Sequence, residues 1–496
     1  MVLKLLPLGL LLILVSGCSL KPGNMLENME DFRKMQKSFD WGNLTKKKTL
    51  FLAEAQAIAL QNNPTYLAAY QAIRTAKYRY YRSLSAYLPS VQSNFRTAQS
   101  LRSSHHIKNP PAGIMPFENY FSAETTLQAS WLIFDGFERE FSVLIAREGF
   151  DKSLHEDSNA RRLLLQAVAF AYYDIMLAEA RKLIAQADLK FQESSLKQAE
   201  NRYRFGKTSM ATVLNFKILG NEARSLILAA ETRIKTGRYA LASLLGGSVG
   251  DLPGNIKFEP LKISENLKLE SLETYCNMAI ARRSDLAAAR NDLQISRYRY
   301  LQGYAKFLPT IKLFYSLDFS NNNFRYADYR YTASRYNHFA NSYGVTLQWN
   351  LFEGFGSYNL LRELKTLESI HQYALLEKFL RVINEVSDAW ENIVNASGQQ
   401  ELYRQSLEWV FEQRKLVQSL YNSAKTTITR LNGAQSDLVK AENMLVIAQI
   451  ELNKAIIQLR TAVEGDTQKP VYQPIQVPTT AISLDKLLQK LNAKFK

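Results

Sequence analysis

The stretch from Leu431 to Ala462 carries apolar residues spaced alternately three and four positions apart. This spacing puts them on one side of a helix that packs against its neighbours along a single seam. Large and small residues alternate along the seam, so a neighbouring helix can approach closely at each Ala. The seam positions are Leu431, Ala434, Leu438, Ala441, Leu445, Ala448, Leu452, Ala455, Leu459 and Ala462.

A second copy of the seam lies 218 positions earlier in the chain. It runs through Val213, Phe216, Gly220, Ala223, Ile227, Ala230, Ile234, Gly237, Leu241 and Leu244. Self-similarity over such a distance indicates an architecture built from two tandem structural repeats. We therefore predict a mainly α fold in which each repeat contributes long antiparallel coiled-coil helices.

The N-terminus has the pattern of an export signal. Lys4 precedes an apolar run from Leu5 to Val15, which ends in Val15-Ser16-Gly17-Cys18. This pattern predicts a lipoprotein signal peptide over residues 1–17, lipidation (palmitate) of Cys18 and a polar tether over 18–50. The alternative is an ordinary secretory signal in which Cys18 is incidental. No later stretch is expected to cross a membrane as a helix, so any further insertion requires strands.

Composition and charge exclude several function classes. The formal net charge of +16 would fit a nucleic-acid-binding protein. An exported chain does not encounter the chromosome, however, and this sequence has no nucleic-acid recognition motif. No nucleic-acid partner is therefore expected. Two cysteines cannot make a disulfide scaffold. Phosphate loops, zinc-protease motifs and nucleophile elbows are missing from the sequence, and His105-His106 lack further ligands at metal spacing. We expect no enzyme, no metal site and no cofactor.

Within each repeat the hydrophobic period changes from helix to strand. Alternation of apolar and polar residues predicts a strand at about 120–134, with Leu127 and Trp131 on its apolar side, and a weaker partner at about 90–101. The second repeat has strands at about 310–320 and 342–352, the latter with Leu347 and Trp349 on the apolar side. An open sheet leaves edge groups unpaired in lipid, so the strands require other copies of the chain to close.

The order of the segments predicts the domain organisation. The first repeat covers 51–245 with a helical-hairpin tip near 206, and the second covers 271–464 with a tip near 424. Residues 246–270 form a linker, and 465–496 form a C-terminal tail rich in proline.

This arrangement resembles the TolC-like outer membrane factors, the exit ducts of efflux pumps and type I secretion systems. The resemblance rests on Asn63-Pro64, on Leu88-Pro89 and Leu308-Pro309 before the strand pairs, on Trp-x-x-Phe-Asp/Glu-Gly after them, and on the duplicated seams. It implies a homotrimer with a twelve-stranded transmembrane β-barrel, continued by a periplasmic α-helical barrel. It further implies an outer-membrane location in a Gram-negative bacterium. The partners would be outer membrane lipid, a periplasmic adaptor and an inner-membrane transporter.

The resemblance also implies an iris at the periplasmic helix tips, formed here by Gly206, Thr212, Tyr421, Ala424 and Arg430. Arg430 stands where an aspartate facing the pore would be expected, so we predict an iris without an acidic ring. The alternative is that Arg430 points outward into solvent. The Phe-Asp-Gly and Phe-Glu-Gly signatures look more like the secretion branch than the lipidated branch, which leaves the cargo, small molecules or proteins, open.

A competing function class is a lipid-anchored periplasmic coiled-coil scaffold or adhesin without a pore. It would account for the seams. It would not account for four strands that each have one apolar and one polar face.

Overall fold

The computed structural model of the protein describes residues 49–101, 117–247, 252–254, 256–259, 269–326, 334–423 and 425–463. The predicted lipidation site Cys18, the pair His105-His106, the tip residue Ala424 and the C-terminal tail lie outside the described residues.

The chain forms two compact units, each with residues from both repeats. The first unit comprises residues up to Pro64, Ala167–Ile263 and Tyr403–Ile450. The second comprises Thr65–Gln166, Ser264–Leu402 and the residues from Glu451 onward. The compact units therefore do not coincide with the sequence repeats.

Helices dominate the described residues. The first repeat contributes α1 (Leu52–Asn62), α2 (Pro64–Leu84), α3 (Glu138–Arg204) and α4 (Met210–Leu244). The second contributes α5 (Leu272–Arg282), α6 (Ser284–Gly303), α7 (Gly356–Asn422) and α8 (Ile428–Val463). Pro64 takes the first position of α2, where a missing N–H costs nothing. The predicted fold of long helices in two tandem repeats is confirmed.

The strands are β1 (Thr49–Leu50), β2 (Ser90–Leu101), β3 (Phe117–Phe134), β4 (Lys257–Phe258), β5 (Thr310–Tyr326) and β6 (Ser334–Gln348). In the second unit, β2, β3, β5 and β6 form an antiparallel sheet in the order β2-β3-β5-β6. Each half of this sheet is one predicted strand pair.

The boundaries of both strands in the second repeat differ from the sequence prediction. Residues 321–326 and 334–341, expected in a loop, extend β5 and β6 because Asn321, Asn322 and Asn323 pair with the facing backbone. Backbone pairing continues there although the apolar alternation has faded. β6 ends at Gln348, so the placement of Trp349 within a barrel strand is wrong. Its indole instead turns back to the backbone before β5.

A parallel pair of two-residue strands, β1 and β4, lies in the first unit and has no signature in the sequence. Strand β1 lies at the end of the predicted tether, and strand β4 lies within the predicted linker. The Tyr172 hydroxyl of α3 donates to the Leu50 carbonyl at 2.8 Å and accepts from the Glu259 N–H at 3.0 Å. Burial of the hydroxyl raises the pKa of Tyr172 to about 12.

The seam residues of α8 face the interior of the protein. Eight of the ten are buried, and Ala441 and Leu445 are half-buried. In the second unit the seam residues from Leu452 onward join a core with α5 and α7, containing Ala279, Val382, Val386, Ala389, Leu452, Ala455 and Leu459. The prediction that no later stretch could cross a membrane as a helix is wrong by length and composition, because helix α3 is long and apolar enough to do so. Within its most apolar window, 39% is buried inside the protein.

Candidate functional site

The antiparallel sheet carries its apolar side chains on one face. The strand register aligns side chains of all four strands in rows that share a face, and two such rows are Val91-Ala129-Tyr315-Tyr343 and Phe95-Thr125-Phe319-Phe339. Their large members are exposed, up to 81% for Tyr343. Leu127, Trp131 and Leu347 belong to the same exposed face. An exposed apolar face of this extent marks a surface made to meet lipid or another apolar partner.

The opposite face of the sheet is polar. Two of its rows are Gln92-Gln128-Ser316-Ser342 and Arg96-Glu124-Ser320-His338. Between them the Thr126 hydroxyl donates to the Asp318 carboxylate at 2.8 Å. A sheet with one apolar and one polar face is the pattern of a strand wall between lipid and a water-filled lumen.

The repeated motifs of the sequence meet where the sheet joins the helices. The Trp131 indole N–H donates to the Tyr87 carbonyl at 2.9 Å, just before Leu88-Pro89. The Trp349 indole makes the same bond to the Phe307 carbonyl at 3.1 Å, just before Leu308-Pro309. Exposed tryptophans that bond the backbone here match the aromatic belts found at membrane–water interfaces.

Each repeat turns from its last strand into its long helix through two residues of left-handed backbone. Gly136 and Phe137 have φ of 71° and 68°, and Gly354 and Phe355 have 59° and 64°. Phe137 packs edge-on against Phe134 at 5.5 Å, and the second repeat has the same pair, Phe352–Phe355, at 5.6 Å. The aromatic contact therefore accompanies a backbone that bulky residues rarely adopt.

In the first unit, α3 and α4 are joined by a tight turn at Gly206. The Lys207 N–H donates to the Arg202 carbonyl at 2.8 Å, and the Gly206 N–H donates to the Tyr203 carbonyl at 2.9 Å. These bonds form the Schellman helix end, which needs a left-handed residue; Gly206 supplies it with φ +67°. At the second tip the Lys425 N–H makes the corresponding bond to Leu420 at 2.8 Å.

Tyr421 is brought together with the start of the α8 seam. Its ring packs on the buried cluster of Val417, Leu431 and Ala434. The Arg202 guanidinium from the other helical hairpin lies 4.9 Å from the centre of the same ring. Arg202 was not singled out in the sequence, since a contact between residues so far apart leaves no local pattern.

The remaining tip residues lie at the starts of the returning helices. Thr212 is half-buried in the first turn of α4, where its N–H donates to the Ser209 carbonyl at 3.1 Å. Arg430 is exposed in the first turn of α8. Near both turns the sequence is basic, with Arg202, Arg204, Lys207, Lys425 and Arg430.

A half-buried polar network lies among α3, α7 and α8 in the first unit, with Gln435 buried at its centre. Gln435 donates to Asp188 at 3.0 Å and accepts from the Arg414 Nε at 3.2 Å. Burial raises the pKa of Glu442 on α8, and the negative charge of Asp188 raises it further by a smaller amount. Among the described residues, no group of three or more His, Cys, Asp or Glu side chains is arranged to hold a metal ion.

The sequence matches the outer membrane efflux protein family over residues 57–247 and 276–465. The two segments together cover well over half of the chain, one for each repeat. The chain belongs to this family. The resemblance drawn from the motifs is thereby confirmed.

Relatives of this outer membrane efflux protein include the alkaline protease secretion protein AprF of Pseudomonas aeruginosa. AprF is 25% identical over 422 residues, which cover 83% of this chain and 82% of AprF. Among solved structures, the outer membrane protein VceC of Vibrio cholerae superposes with a TM-score of 0.70 at 17% identity, covering 84% of this chain and 97% of VceC. The CmeC outer membrane channel of Campylobacter jejuni superposes with a TM-score of 0.71 at 14% identity, covering 86% of this chain and 87% of CmeC. These structures share the fold.

The family and the sheet together establish the location and the general function. The protein is an outer membrane exit duct, as predicted, and the pore-free scaffold or adhesin is not supported. The exposed apolar face of the sheet belongs to a membrane wall, which a periplasmic scaffold would not need.

Proposed function

We propose that this outer membrane efflux protein works as a homotrimer that passively conducts protein cargo from the periplasm to the exterior. Its partners would be a periplasmic adaptor and an inner-membrane transporter of a type I secretion system. The observation that carries the proposal is the sheet, whose apolar face is continuous across four strands while its opposite face is polar.

Trimer formation follows from backbone hydrogen bonding. In the described sheet β2 and β6 are the edge strands, each with one neighbour. In lipid an unpaired strand edge costs several kcal/mol per group, so β2 of one copy would pair with β6 of the next until the wall closes. Light scattering of the detergent-purified protein, corrected for detergent, should give the mass of three chains. A stable monomer would contradict closure between copies.

The secretion branch is supported by the similarity to AprF, named as an alkaline protease secretion protein. The test is deletion of the gene, followed by comparison of the culture supernatant and of susceptibility to toxic small molecules. We expect one or a few secreted proteins to disappear from the supernatant. Increased sensitivity to small molecules with an unchanged supernatant would instead assign the duct to efflux.

We further propose that Tyr421, Gly206, Thr212, Ala424 and Arg430 belong to a periplasmic iris that lacks an acidic ring. The exposure of Arg430 and the basic residues of both turns support this. Threefold repetition of Arg430 around a narrow opening would favour anions. Planar-bilayer recordings should show anion preference that decreases in Arg430→Gln. Strong cation selectivity of the wild-type channel would overturn the assignment.

Lipidation of Cys18 is proposed from the sequence box that precedes it. Mass spectrometry of the mature N-terminal peptide should show a lipid-modified cysteine, and Cys18→Ala should abolish the modification. An unmodified N-terminus produced by cleavage elsewhere would contradict this proposal.

A further inference from the structure

A charged cavity opens between α3, α6, α7 and α8 in the second unit. Its volume is about 300 Å³. Among the side chains around it are those of Arg162, Arg283, Asp285, Lys378 and Glu385. Neither the exit-duct function nor the iris uses these residues.

Two carboxylates in this cavity are shared among three cations. Asp285 accepts from Arg283 through Nε at 2.9 Å and through the terminal nitrogen at 2.6 Å, and from Lys378 at 3.0 Å. Glu385 accepts from Arg283 at 2.5 Å. Arg162 lies 3.9 Å from the carboxylate of Asp285. One positive charge is therefore left over in the cluster.

Arg162 carries the surplus positive charge in a buried position. The Arg162 side chain is 10% exposed and donates to the Thr461 carbonyl at 2.6 Å and to Asn159 at 2.7 Å. Its Nε is buried and has no hydrogen-bond partner within the described part of the chain. Burial, and next the charge of Arg283, lower the pKa of Arg162. A buried cation without a full counter-charge is costly, and a bound anion would offset that cost.

The first repeat shows that capping the returning helix does not require these charges. Arg283 donates to the carbonyl of Ala462 at 3.4 Å. At the corresponding place in the first repeat, the neutral Asn63 donates to the carbonyl of Leu244 at 2.9 Å. The first-repeat counterparts of Asp285, Lys378 and Glu385 are the uncharged residues Thr65, Ala160 and Ala167. The charges are thus an addition specific to the second repeat.

The cavity lies well away from the strands. Helix α6 begins here and extends for 20 residues before the segment that leads into β5. At ~1.5 Å per residue this separates the cavity from the strand start by about 30 Å, beyond the reach of a lipid headgroup next to the sheet. A ligand would therefore come from the aqueous periplasm.

We propose that this cavity binds a small tetrahedral oxyanion of the phosphate class, held by Arg162 and Lys378. Planar guanidinium and ammonium groups are the donors that recognise such anions. Arg381, which is half-exposed and paired with Glu377 at the outer side, would add a further donor at the entrance. The bound anion would join α3 to α7 beside the end of α8.

Equilibrium dialysis of radiolabelled inorganic phosphate against the purified full-length protein tests the proposal directly, with chloride keeping the ionic strength constant. Saturable binding near one phosphate per chain is expected, and Lys378→Gln should weaken it about tenfold or more. The matched control is Lys152→Gln, because Lys152 has a similar exposure of 28% and an ion pair with Asp292 at 2.8 Å in the same unit. This control should bind phosphate like the wild type.

Absence of saturable binding would overturn the proposal. Equal weakening in both lysine variants would also overturn it, since it would show a general charge effect only. Should Lys378→Gln fail to fold, Arg381→Gln at the exposed entrance provides the second variant. It should weaken phosphate binding severalfold, and wild-type affinity in that variant would count against the site.

Discussion

The hydroxyl of Tyr172 donates a 2.8 Å hydrogen bond to the carbonyl of Leu50, which connects the long helix α3 to strand β1. The same oxygen accepts the Glu259 N–H, and the ring packs edge-on against Phe258 at 5.2 Å. One side chain thus holds both strands of the β1–β4 pair. This residue had no signature in the sequence because its partners are far away along the chain.

Tyr172→Phe should lower the free energy of unfolding by about 1–3 kcal/mol, since it leaves buried backbone groups without their partner. The raised pKa adds a pH signature. Stability from the neutral hydroxyl is fully present below the unfolded pKa near ~10 and is lost as the pH rises towards 12. Thermal unfolding between pH 8 and pH ~11 checks this. A wild type and variant that lose stability in parallel would contradict the assignment.

Gly206→Ala should lower the free energy of unfolding by about 1–2 kcal/mol, because any Cβ is unfavourable at a left-handed φ of +67°, although the space around Gly206 is open. Gly136→Ala should cost more. There an added Cβ would also lie 2.9 Å from the Ala305 carbonyl oxygen and from the Leu308 Cβ. Denaturant unfolding of the two variants gives the comparison, and equal losses would show that the crowding at Gly136 relaxes.

Ala434→Leu should impair transport more than it impairs trimer assembly, because we expect the small Ala and Gly positions of the seams to let the helices slide past one another when the tunnel opens. Ala434 is 5% exposed and packs with Val417 and Leu431 beneath Tyr421, so a larger side chain would force these helices apart at a cost of about 1–3 kcal/mol. Secretion and the trimer fraction should be measured on the same preparations. Ser436→Leu, on an exposed position of the same helix, serves as the control. Parallel loss of transport and trimer would contradict a role in opening.

Asp285→Asn should destabilise the second unit by about 3–5 kcal/mol at neutral pH, because it leaves the buried Arg283 with Glu385 as its remaining carboxylate and removes the carboxylate partner of the half-buried Lys378. Burial acts to raise the pKa of Asp285, but hydrogen bonds from Arg283 and Lys378 outweigh it and hold this pKa well below its usual range. The stabilisation is therefore present above the unfolded pKa near ~4 and lost as the pH falls below it. Melting temperatures between pH ~5 and ~3 should fall less steeply in the variant than in the wild type.

Local periodicity was sufficient to predict much of the fold. The seam from Leu431 to Ala462 predicted the packed side of a helix, and the alternation around Leu127 predicted the apolar face of a strand. Both predictions were possible because each pattern repeats within one element. Contacts between distant segments could not be predicted this way. The ring of Tyr421 beneath Arg202 and the cluster around Arg283 depend on which elements meet, and the polar continuation of β5 through Asn321 depends on backbone pairing alone.

The most direct test of the central claim is cysteine scanning of β3 in intact outer membranes with a water-soluble, membrane-impermeant thiol reagent. The account predicts an alternating result: Gln128→Cys and Ser130→Cys react from the water-filled lumen, whereas Leu127→Cys and Ala129→Cys face lipid and do not. Labelling at every position, or at none of them, would contradict a strand wall between lipid and an aqueous exit duct.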